Sequence, residues 1–203
     1  DLVAATHGRA FWVLDDLTPL HEIMDKKAEI ERASAYLFPP RHTYRVDGGS
    51  WHADGMQTGE NPPNGVLVHY YLQAPPANEL QLQFLDAQDS VIITYSNKKD
   101  RKGEPIKESK DFYPDTERKI PGTAPADSGL NRFVWNLEYP AATEAPGVTW
   151  GASTDGPRVV PGKYNIRLKL GDSVIMTRTF EIRKDPRLST TDADFKAQFD
   201  LLM

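Results

Sequence analysis

The chain of 203 residues contains no cysteine, which removes disulfide frameworks, thiolate nucleophiles, zinc ribbons and iron–sulfur clusters. It has no apolar run near the ~18 residues that a membrane-spanning helix needs. Its opening residues, DLVAATHGR, lack the basic-then-apolar layout of a signal peptide. Basic residues are in the minority: 24 Lys plus Arg stand against 29 Asp plus Glu, a net charge of -5. A general nucleic-acid binder shows the opposite balance, so nucleic acid is not an expected partner. The G-x-S-x-G, P-loop and G-x-G-x-x-G signatures are also missing, and Ser50 in GGSWH lacks the strand–turn–helix setting of a nucleophile elbow. No cofactor is expected.

Proline is present in quantity, 16 of 203 residues or roughly 8%, where about 5% is usual, and this favours loops and short strands over long helices. Residues 1–16 read as a hairpin: Leu2–Ala5 and Phe11–Leu14 are apolar runs on either side of a turn at His7-Gly8-Arg9. Thr18-Pro19 opens a helix, with a side-chain acceptor at the cap and proline in the first turn. Leu20, Ile23, Met24 and Ile30 keep an apolar stripe to about Ala35. From residue 64 the period becomes two. Val66, Val68, Tyr70 and Leu72 share one face, as do Leu80, Leu82 and Phe84, then Val91, Ile93 and Tyr95. The same alternation returns in Phe133, Trp135 and Leu137, in Tyr164, Ile166, Leu168 and Leu170, and in Val174, Met176, Phe180 and Ile182. Strands apolar on one side only imply two facing sheets, a β-sandwich of about six or seven strands.

Between these strands, residues 96–128 carry eight basic and seven acidic side chains and read as a solvated loop. Near the end, Thr191 is placed to cap a helix with Asp194 at its third position and Phe195, Phe199 and Leu202 on one face. The hairpin at one end and this apolar helix at the other read as pieces of a longer protein.

Candidate chemistry is sparse. The histidines at 7, 21, 42, 52 and 69 have no H-x-H or H-E-x-x-H spacing, so no metal site is expected. Asp15-Asp16 is the best placed carboxylate pair, but neighbouring residues on a strand point to opposite faces, and a turn or cap role is the simpler reading. Trp51, His52, Phe112, Tyr113 and Trp150 lie in segments rich in glycine, proline or charge. A ring exposed there would stack on a sugar, and a ring pinning its own loop is the alternative.

DLVAATHGRAFWVLDDLTPL, residues 1–20, resembles the closing strands of the β-propeller in bacterial BNR-repeat proteins of the sortilin-like and sialidase-like group called glycosyl hydrolases. NPPNGVLVHYYL, GLNRFVWNLEYP, VPGKYNIRLKLG and FEIRKDPRLSTT are similar to strands of the β-sandwich that follows such propellers, itself like the Ig-like domain of the flagellar hook-capping protein. The resemblance implies the following layout. Residues 1–17 are a last-blade hairpin, 18–60 a helix and connecting segment, 61–187 an Ig-like or fibronectin-III-like sandwich, and 188–203 the start of a C-terminal helix. It implies a secreted or periplasmic protein whose hydrolytic residues, where it has them, belong to the propeller. No complete S-x-D-x-G-x-x-W box is present, since Ser153-Thr154-Asp155-Gly156 departs from it. No catalytic role therefore carries over, and His7 and Arg9 are the polar residues nearest the propeller end. The expected function is a non-catalytic accessory module that packs on the propeller of the same chain. The alternative is a carbohydrate-binding module using Trp51, Trp150, Tyr113 and His52, with a glycan as partner.

Overall fold

The computed structural model describes residues 1–8, 11–46, 62–98, 123–142 and 155–203. Alternating residues do what period two requires. In β5 (Val66–Leu72) every other side chain is buried, and the same holds along β8 (Gly129–Trp135), β9 (Gly162–Leu170) and β6 (Leu80–Leu85) as far as Phe84, after which Leu85 is buried as well. With β3 (Ala35–Leu37), β4 (Thr43–Arg45), β7 (Val91–Ser96) and β10 (Ser173–Lys184), these strands make two sheets. One has the order β4-β10-β9-β6-β7 and the other β3-β5-β8. All pairings are antiparallel except β4 on β10.

The protein is mainly β, and one core cluster takes residues from both sheets, so the sheets face each other as a sandwich. At its centre Trp135 of β8 stacks on Phe84 of β6 with ring centroids 4.4 Å apart, while Phe180 meets both rings edge-on. The Trp135 indole N–H donates to the Glu138 carbonyl at 3.1 Å, so the largest side chain of the core is buried without an orphaned donor.

Several expectations need correction. Val91 and Val174, expected on inward faces, are exposed. In β7, Phe84 pairs with Ile93 and Leu85 with Val91, which leaves Ile92 as an extra residue that turns into the core. In β10, Ile175 is skipped in the same way between Val174 and Met176. A β-bulge inverts the phase of everything beyond it, and a simple alternation count misses it. The connecting segment 18–60 also contributes two strands, β3 to the smaller sheet and β4 to the larger, so the sheets begin before residue 61. The far end of the charged loop belongs to the sandwich as well: Ala124 is buried in the core and its N–H donates to the Ser96 carbonyl at 3.0 Å.

Helix α1 (Thr18–Arg32) starts without a side-chain bond from its N-cap Leu17, so Thr18 does not cap it. The carboxylate of Asp16 accepts the Thr18 N–H at 2.9 Å instead. Ile30 and Ile23 of α1 pack with Tyr36, Phe38 and Tyr71 in a second, smaller cluster. That is why all three residues of β3 are buried: one side faces the sandwich core and the other faces the helix. Helix α2 (Asp192–Leu202) has the expected capping box, Thr191 and Asp194 each accepting the other's backbone N–H. It is held by Phe195 under the Arg45 guanidinium, 4.6 Å from its ring centroid, and by Phe199 against Tyr139 at 5.0 Å. Leu202, expected on the buried face, is exposed.

Candidate functional site

The hairpin found in the sequence forms as β1 (Leu2–Ala5) and β2 (Phe11–Leu14), paired in register from Leu2 with Leu14 to Ala5 with Phe11. It is a sheet of its own and joins neither sheet of the sandwich. All eight strand residues are exposed. Because successive side chains alternate, Leu2, Leu14, Ala4 and Trp12 lie on one face and Val3, Val13, Ala5 and Phe11 on the other. Phe11 is 76% exposed and Trp12 66%. Neither face carries a charge, and neither outer edge is paired within the sheets described. Monomeric proteins rarely leave such a surface uncovered, and an isolated two-stranded hairpin is at best marginally stable in water.

The root of the hairpin is polar. Arg41 donates to the Asp1 carboxylate at 2.8 Å and to the Asp15 carbonyl at 3.2 Å. Asp16, which receives the Thr18 N–H, also lies 3.9 Å from Nδ1 of His69 on β5. Asp15 and Asp16 therefore do not form a paired acid and base; the carboxylate of Asp16 is committed to the start of α1. With His42, Tyr44, Pro62 and Leu67 the two aspartates line a cleft of about 210 Å³. The His42 ring meets that of Tyr44 edge-on at 5.6 Å.

His69 is mostly buried at this root. Burial pushes its pKa below the ordinary 6.5, Asp16 works in the opposite direction, and Arg132, its cross-strand neighbour, lowers it further. Folding thus keeps a proton off this ring that the unfolded chain would accept. The cost is absent above pH about 6.5 and grows as pH falls below it, until the folded group itself titrates. His69→Gln is expected to flatten the loss of stability between pH 7 and pH 5, as measured by thermal melts at fixed ionic strength. An unchanged slope would show that His69 does not carry this dependence.

A second polar constellation was not foreseen. Glu22 of α1 accepts from the Tyr36 hydroxyl at 2.5 Å and from Lys26 at 2.9 Å, and Arg178 of β10 lies 3.5 Å away. Arg178 also donates to the Tyr36 hydroxyl at 2.9 Å and to the Leu37 carbonyl at 3.0 Å. Burial works to raise the Glu22 pKa, but the bonds from Tyr36 and Lys26 outweigh it and hold the carboxyl below its ordinary range. Burial and the Glu22 bond raise the Tyr36 hydroxyl. The group ties α1, β3 and β10 together across a break in helical geometry at Lys26. Its sequence signal is limited to the Glu22 and Lys26 spacing of i,i+4, which occurs on many solvated helices.

Trp51, His52, Phe112, Tyr113 and Trp150, together with Arg9, lie outside the described residues. His7 sits exposed at the hairpin turn. Among the described residues no three His, Asp or Glu side chains gather as metal ligands, and no helix is long and apolar enough to cross a membrane. Compared with known proteins, the chain matches no family model, and no curated protein or solved structure is significantly similar to it.

Proposed function

We propose that this chain is a non-catalytic accessory β-sandwich, the C-terminal module of a secreted or periplasmic BNR-repeat propeller protein of the glycosyl-hydrolase type. In this reading the β1–β2 hairpin is its means of attachment. The observation that carries it is the hairpin's apolarity on both faces together with its free edges. A partner that lies against one face leaves the other wet. Insertion into a bilayer would strand the unpaired edge N–H and C=O groups in hydrocarbon. Uptake into a larger sheet covered on both sides satisfies faces and edges together, because strands buried on both sides are those without polar alternation. A propeller blade offers such a sheet, and residues 1–20 resemble the strands that close one. The carbohydrate-binding alternative rests on Trp51, Trp150, Tyr113 and His52, and no described contact favours it.

Hydrogen exchange tests the reading. In the parent chain that it requires, the amides of Leu2–Ala5 and Phe11–Leu14 are expected to exchange at least about a hundredfold more slowly than in this chain alone. Equal exchange in both, or a gene that encodes no BNR-type repeats before Asp1, would reject it.

A further inference from the structure

The outer face of the five-stranded sheet has a charge pattern that the fold does not consume. Strand β9 is its central strand. Tyr164, Ile166 and Leu168 point into the core, so Lys163, Arg167 and Lys169 project together from the opposite face. Their cross-strand neighbours are mostly uncharged and polar. Arg167 lies between Gln83 and Thr177, and Lys169 between Gln81 and Val174. The nearest carboxylates are engaged elsewhere: Glu181, opposite Lys163, holds Arg183 at 2.7 Å, and Glu79 holds Lys98 at 2.8 Å. Asp89 accepts from Asn165 at 3.0 Å. Among the described residues no ion pair forms to Lys163, Arg167 or Lys169, although acidic residues outnumber basic ones in the chain.

We propose that this face binds an acidic polysaccharide. A rise of about 3.3 Å per residue puts Arg167 and Lys169 some 7 Å apart and extends the cationic row to about 20 Å at Lys163, a length that suits several sugar units of an extended chain. Three features favour a saccharide over other polyanions. Amides and hydroxyls stand beside the cations, at Gln81, Gln83 and Thr177, where they meet sugar hydroxyls. No aromatic ring lies among these neighbours to stack a nucleobase, as single-strand binders require. Among the described residues the surface is the flat face of paired strands, with no helix on it to enter the groove of a duplex. The carboxylates of a uronate chain supply the counter-charge, and the guanidinium of Arg167 is suited to receive one in a bidentate pair.

Affinity electrophoresis of the whole chain in native gels containing polygalacturonate tests this, with dextran as the neutral control and a single-stranded oligonucleotide as the other polyanion. Retardation is expected with polygalacturonate alone. Arg167→Glu/Lys169→Glu is expected to weaken it by at least about tenfold with the melting temperature unchanged. Should that double variant fail to fold, Arg167→Gln/Lys169→Gln keeps the face polar and removes the same charges. No retardation by polygalacturonate, retardation that survives both variants, or equal retardation by the oligonucleotide would each overturn the proposal.

Discussion

Trp135→Ala is expected to destabilise the protein by about 3–5 kcal/mol, read as a shift in the urea midpoint at constant slope. Trp135 has no exposed surface, stacks on Phe84 across the gap between the sheets, and makes edge contacts with Tyr164 and Phe180. Removing the indole takes away that apolar burial and leaves a cavity over the rings of Phe84, Tyr164 and Phe180, which are held on strands of the opposite sheet and cannot close fully on it. The Glu138 carbonyl loses its indole donor as well. A domain of this kind has a total of about 5–15 kcal/mol to lose, so the variant is expected to sit near its unfolding transition at 37 °C. Trp135→Phe keeps the ring contact with Phe84 and should recover more than half of the loss. A Trp135→Ala variant as stable as the parent would mean that the two sheets are not joined through this cluster.

Gly65→Ala is the second large effect expected, about 3 kcal/mol or more by the same measurement. Gly65 precedes β5 with φ +147, a region that side-chain-bearing residues seldom enter. A Cβ at this position would lie 2.2 Å from the backbone oxygen of Trp135 and 3.0 Å from a methyl of Val134. The obstacle is backbone, which cannot rotate away. No rotamer change relieves the collision, and β5 must move off β8 at the Val66 and Trp135 pair. Gly8, at φ +75 in the hairpin turn with nothing near its Cβ position, is the matched control. Alanine there meets backbone strain without the collision and should cost clearly less.

Much of the sandwich was legible because local burial writes itself into local sequence. In β5, β6, β8 and β9 the alternation seen in the residues is the alternation seen in the fold. The capping box of α2 and the β1–β2 hairpin were equally readable, since each depends on residues a few positions apart. β3 and β4 were not readable. Each has three residues, and β3 is buried on both sides, by α1 on one and the sandwich core on the other, so it shows no alternation. The bulges at Ile92 and Ile175 escaped for a related reason: each is defined by what the neighbouring strand skips.

The candidate sites divide along the same line. The apolar hairpin is visible in residues 2–14, but only the fold shows that it stays outside the sandwich with both faces uncovered. Likewise, the charges of β9 are printed in its sequence, whereas the absence of an ion pair to them among the described residues depends on which strands lie alongside. Local sequence sets the inward face of most strands, the capping of α2 and the exclusion of thiol chemistry. Which strands pair, the meeting of Arg178 with Glu22 and Tyr36, and the use of Asp16 by α1 and His69 instead of a catalytic pair follow from the folded arrangement. Periodicity and caps arise from neighbours within a turn or two of chain. Pairing, coverage and ion-pair partners arise from segments brought together only when the whole core closes.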